Sequence, residues 1–110
     1  MQINRMDYGA VTVLSFVEDE HLNEPETLQE AMKAAIAEGR SDFLIDLENV
    51  VYVSSSVLGF LITTFRQMQK TRGNLKLLHV QPCVSNVFRI TRLDRILEIF
   101  NDLETALASF

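Results

Sequence analysis

The stretch Phe43-Leu-Ile-Asp-Leu-Glu-Asn-Val50-Val-Tyr-Val-Ser-Ser-Ser56-Val-Leu-Gly-Phe60-Leu decides the fold. Its first half, Phe43 to Leu47, is a nearly continuous apolar run of strand length. Such a run suits a strand buried on both faces, as in parallel sheets covered by helices. Glu48-Asn49 interrupts it, and Val50 to Val53 continues as extended chain. From Val57 the period changes. Leu58, Leu61, Ile62, Phe65 and Met68 recur at three- and four-residue steps, the spacing of one helix face. Arg66, Lys70 and Arg72 gather toward the C-terminal end of that helix, where cations suit the helix dipole, and Gly73 is the expected stop.

On the N-terminal side, Val11 to Val17 is rich in β-branched and aromatic residues, with Val11, Val13 and Ser15 alternating against Thr12, Leu14 and Phe16. It reads as a strand. Asp7-Tyr8-Gly9 is a turn signal that closes a hairpin with Ile3 to Met6. Glu18 to His21 reads as an acidic loop. Pro25 opens a helix, since its missing N–H costs nothing in the first turn. Leu28, Met32, Ala35 and Ile36 give that helix an apolar face, and Gly39 ends it.

On the C-terminal side, Leu75 to Val80 is another apolar strand. Gln81-Pro82 opens a short helix with Val84, Val87 and Phe88 on one side. Leu97 to Ile99 fits a last short strand. Asn101 with Glu104 resembles a capping box, and Leu103, Ala106, Leu107 and Phe110 form the apolar face of a final helix. Strands separated by helices imply crossovers and mostly parallel pairing. The expectation is one α/β domain over residues 1–110. It has a small, mixed, mostly parallel sheet with an N-terminal β-hairpin and about four helices packed against it.

Composition narrows the function. The 110 residues carry 10 Lys+Arg against 15 Asp+Glu, a formal charge of −5. An acidic balance without a basic tract argues against a nucleic-acid footprint and against adhesion to anionic lipid. The N-terminal residues lack a signal-peptide pattern, and no apolar run approaches the ~20 residues of a membrane span. A single cysteine, Cys83, leaves the fold to stand on packing. These features predict a cytoplasmic protein that binds neither nucleic acid nor membrane.

Signs of catalysis are sparse. No Gly-rich phosphate loop occurs. One cysteine and two separated histidines, His21 and His79, make no zinc pattern. His79 alternates with apolar neighbours and reads as structural, while His21 faces solvent from the acidic loop. Asp46 reads as a strand-end carboxylate bonded to backbone or capping a turn. Ser54-Ser55-Ser56 lacks the flanking glycines of a nucleophile elbow, so a small serine hydrolase is only a remote alternative. No enzyme activity, cofactor or metal is expected.

The serines fit another role. One serine before a helix is an N-cap, but three exceed what a cap requires. They lie at the carboxyl end of a strand, the usual place for binding in open α/β sheets. A phosphate there would meet helix N–H groups and the positive dipole end. It would also bring roughly −1.5 to −2 charges to a surface that a partner approaches.

At this point the chain resembles the STAS family. The similarity runs from about Asp42 to Phe100, through the quoted stretch, Leu75-Lys-Leu-Leu-His-Val and Val87-Phe-Arg-Ile-Thr-Arg-Leu-Asp-Arg-Ile-Leu-Glu-Ile-Phe. Members of this size are anti-sigma factor antagonists. The resemblance implies a kinase-like anti-sigma factor as partner, inactivation by that kinase through a serine at the start of the central helix, and a phosphatase that resets it. The family motif there is Asp-Ser-Ser/Ala-Gly-Leu-Gly. Over it, Ser54 takes the aspartate position, Ser55 the phosphorylated serine and Ser56 the small residue. Val57 takes the first glycine, Leu58 the leucine and Gly59 the last glycine. The resemblance thus implies Ser55 as phosphoacceptor, less so Ser54 or Ser56. It implies Ser54, Ser56, Val57, Gly59 and Phe60 as the partner-binding surface. Two positions depart from the motif, Ser54 and Val57. Gly59 reads either as close packing of the helix on the sheet or as close approach of a partner. A non-phosphorylated scaffold or adaptor of the same fold is the alternative function. The oligomeric state is open, since a short opening strand can leave an edge that pairs.

Overall fold

A computed structural model describes residues 2–110. The opening hairpin forms from β1 (Ile3–Tyr8) and β2 (Val11–Phe16), antiparallel, with Gly9 at φ 60° in the two-residue turn. After β3 (Glu20–Leu22) the chain enters α1 (Glu26–Ala37), β4 (Asp42–Asp46), β5 (Val50–Val53) and α2 (Ser55–Lys70). It then forms β6 (Asn74–Leu78), α3 (Pro82–Ile90), a short 3-10 turn (Leu93–Arg95), β7 (Ile99–Phe100) and α4 (Leu103–Ala108). The main sheet has the order β1-β2-β4-β6-β7, and every pairing beyond the hairpin is parallel. The mixed sheet, hairpin and four helices are those expected from the sequence.

β4 lies at the centre, and its Phe43, Leu44 and Ile45 are fully buried. Alternation sends them to two cores. Phe43 and Ile45 join Leu75 and Leu77 of β6 beneath α1, α2 and α3. Leu44 and Leu78 join Val11 and Val13 on the other face, where α4 covers them through Ala106, Leu103 and Leu107. Burying each such side chain is worth about 1.5–3 kcal/mol. Lys76 belongs to this second face and is 6% exposed. Its ammonium donates to Ser109 O at 2.8 Å and lies 4.8 Å from the Phe110 ring centre. The charge thereby pins the end of α4.

Three local readings change. The acidic segment is not all loop: Glu20–Leu22 forms β3, parallel to β5 in a separate two-stranded sheet. Val50–Val53 is extended as expected, and it pairs with β3. His79 lies just past β6, in a left-handed conformation with φ 54°. The final helix is capped by Asp102 rather than Asn101, because the Asp102 carboxylate accepts from the Thr105 N–H at 2.9 Å and its hydroxyl at 2.8 Å.

The two Thr105 hydrogen bonds hold the Asp102 carboxyl below its ordinary range. A lowered folded-state pKa contributes stability above the ordinary range, and that contribution is lost as pH falls through the lowered value. Acidification should therefore loosen α4 amides ahead of those in α2, as read by hydrogen exchange. Asp102→Asn keeps a capping oxygen and should remove this pH dependence.

Candidate functional site

The three serines sit where β5 ends and α2 begins, at the carboxyl edge of the strands. Their roles separate cleanly. Ser54 is the N-cap, in extended conformation, and its hydroxyl oxygen accepts from the Val57 N–H at 3.2 Å. The same hydroxyl donates to Asn23 O at 2.7 Å, and the Ser54 N–H donates to Leu22 O at 2.8 Å. Ser54 thus ties the helix start to β3 and the loop after it. Ser55 and Ser56 are exposed, and among the described residues neither hydroxyl has a hydrogen-bond partner. Their N–H groups, at the first two helical positions, lack intrahelical acceptors by the geometry of any α-helix. No acidic residue occupies this first turn, so the positive end of the dipole is uncompensated within the helix.

The remaining motif positions divide differently from the sequence expectation. Val57 is 1% exposed and packs in the three-helix core. Its side chain is removed from the exposed surface of the helix start, because the third helical position points at the sheet. Gly59 is exposed, and a Cβ built there meets nothing within 4 Å. Close packing on the sheet therefore does not explain this glycine. Phe60 is half-buried and lines a groove of about 190 Å³ between α1 and α2, with Gln29, Met32, Ile36 and Thr64 among its walls.

Asp46 behaves as a strand-end carboxylate: its Oδ1 accepts from the Glu48 N–H at 3.0 Å. The same oxygen lies 3.2 Å from His79 Nδ1, so the histidine completes the turn after β4. The Asp46, Glu48 and His79 ligand atoms all lie within 4.8 Å of one another. Neither histidine is hydrogen-bonded to a serine of the cluster among the described residues. Cys83 is exposed and free, with its thiol 3.5 Å from Val51 O.

Asn23 and Asn49 were not visible as site residues in the sequence. Asn23 receives the Ser54 hydroxyl through its backbone. Asn49 donates its side-chain amide to Phe16 O at 2.7 Å and accepts from the Glu20 N–H at 2.8 Å. A three-residue strand offers too short a pattern to reveal these contacts in advance.

Residues 2–106 match the model of the STAS domain. The chain belongs to the STAS family. Among its relatives is BtrV of Bordetella bronchiseptica, whose name assigns it provisionally to the anti-sigma factor antagonists. It is 29% identical over 85 residues, 77% of this chain and 73% of BtrV. The anti-sigma-B factor antagonist of Bacillus subtilis is 36% identical over 64 residues, 58% of this chain and 59% of that protein. A solved STAS-domain anti-sigma-factor antagonist from Planctomyces limnophilus superposes with a TM-score of 0.79 at 28% identity, covering 97% of this chain and 96% of that one. Among the described residues, no helix of this STAS domain is long and apolar enough to cross a membrane.

The geometry sets two stability expectations. Ser54→Ala should lower stability by about 0.5–2 kcal/mol as the cap is lost, while Ser55→Ala should stay within about 0.5 kcal/mol of wild type. Urea denaturation of both variants distinguishes the capping serine from the free one. In the same assay Gly59→Ala should raise stability by about 1 kcal/mol, since the helix gains alanine and the new methyl meets open space.

Proposed function

We propose that this STAS domain is an anti-sigma factor antagonist that binds a kinase-like anti-sigma factor through the start of α2. Phosphorylation of Ser55 by that kinase switches it off, and a phosphatase restores it. The observation that carries this reading is the division of labour among the serines. Ser54 is committed to the cap and to Asn23, while Ser55 is exposed and unbonded beside open helix N–H groups.

Both departures from the family motif have a structural account that supports the reading. Aspartate and serine are comparable N-caps. Ser54 therefore supplies the same cap as the family aspartate and leaves out only its charge. Val57 replaces a glycine at a position whose side chain enters the core, so its bulk does not obstruct an approaching partner. Gly59 and the half-buried Phe60 then form the partner's approach beside Ser55 and Ser56. A phosphate on Ser55 is tolerated by the domain, because helix N–H groups and the dipole favour an anion there. It opposes the partner, because its charge and volume stand on the contact surface.

The non-phosphorylated adaptor is favoured by one observation: the charge that the family aspartate places beside the acceptor serine is absent at Ser54. Incubation with a kinase-like anti-sigma factor and ATP, followed by intact mass and peptide mapping, separates the two. The switch predicts one phosphate on Ser55, none on Ser55→Ala, and at least about tenfold weaker binding of Ser55→Asp, roughly 1.4 kcal/mol. Unaltered binding of Ser55→Asp, or a phosphate mapped elsewhere, would overturn it. Tight binding with no phosphate transfer would establish the adaptor.

A further inference from the structure

Charge on this acidic chain is sorted by the fold. Both α2 and α3 return from the carboxyl edge of the sheet to the edge where β6 and β7 begin. Their C-terminal ends therefore share one edge. That edge carries Lys70, Arg72, Arg89, Arg92 and Arg95, five of the ten Lys and Arg residues, and all five are exposed. Among the described residues none of the five is in an ion pair. Asp94 and the half-buried Asp42 temper the charge without cancelling it, while Glu38 is held by Arg5 at 2.8 Å. Between the arginines stands Ile90, 79% exposed, with Ile96 at 37%.

The opposite edge is its complement. The loop after β2 presents Glu18 and Asp19, and the turn after β4 presents Glu48, all exposed. The two segments are held together by the Asn49 hydrogen bonds to Phe16 O and from the Glu20 N–H. Val17 and Tyr52 stand beside them, 55% and 48% exposed. Strands of this length set the edges roughly 16 Å apart, beyond the Debye length of about 8 Å at physiological ionic strength. The two edges therefore present opposite charge independently, each with apolar side chains set in it.

We propose that copies of this chain associate head to tail, the basic edge of one docking on the acidic edge of the next. Like edges repel, so a two-fold dimer through either edge is disfavoured. A head-to-tail contact leaves one free edge at each end and builds an open series. The acidic edge is also the edge that bears Ser55, so an engaged copy crowds the hydroxyl that a kinase must reach.

Sedimentation velocity over a concentration series at low and high ionic strength tests this with the full chain. Wild type should grow in mass with concentration at low salt and return to monomer at high salt. Ile90→Asp/Arg92→Ala breaks the basic edge and Glu18→Gln/Asp19→Asn neutralises the acidic one. All four positions are exposed, and circular dichroism like that of wild type checks that each variant folds. Each variant alone should be monomeric. Their equimolar mixture should give a dimer and nothing larger, because one native pair of edges remains. Wild type that stays monomeric at low salt, a mixture that stays monomeric, or association unaffected by either variant would each overturn the proposal.

Discussion

Everything in this domain is arranged around the burial of β4 on both faces. A strand with no exposed face must be paired along both sides and covered above and below. β2 and β6 supply the sides, α1 to α3 one cover and α4 the other. Parallel pairing follows, because each neighbouring strand is reached by a helical crossover on the covered face. The crossovers in turn bring every helix of that face to start at the carboxyl edge of the strands. The place where α2 begins is thus a consequence of how β4 is buried.

At that edge a small second sheet does what the main one cannot. β3 and β5 pair beyond the end of β4, and Ser54 closes the arrangement by bonding to Leu22, Asn23 and Val57. Three hydrogen bonds through one residue hold the helix start against the loop before α1. The two serines that follow are exposed, with no hydrogen bond to their hydroxyls among the described residues.

The elements with strong periodicity were legible in the sequence, and so was the family. Phe43 to Ile45 announced a doubly buried strand, and the three- and four-residue steps from Leu58 to Met68 announced α2. β3 was not legible, since three residues with two charged or polar side chains show no alternation. The cap of α4 was misplaced by one residue because Asn101 and Asp102 are both good caps. Only the paired bonds to Thr105 separate them. Val57 was expected on the partner-binding surface, and Gly59 was left between close packing and partner approach. Val57 stands four residues before the buried Leu61 and enters the same core, while Gly59 falls on the exposed side of the helix. Gly73 was expected to stop α2, but the helix ends at Lys70 and Arg72 takes the left-handed position after it; the constraint on Gly73 is tertiary, since a Cβ there would stand 2.5 Å from Ser41 O.

The helix ends carry one more consequence. α1 closes through Gly39 at φ 90°, the residue type that accepts this conformation with least strain. α2 and α3 close through Arg72 and Arg92, both at φ 62°. For a residue with a side chain the left-handed region costs about 1–2 kcal/mol. Glycine at either position would relax the backbone and delete a guanidinium in the same step. An engineer could therefore discharge this rim of the molecule through changes that the main chain favours. The natural chain holds the opposite compromise at both helix ends, with conformational ease given up where a permanent positive charge is gained.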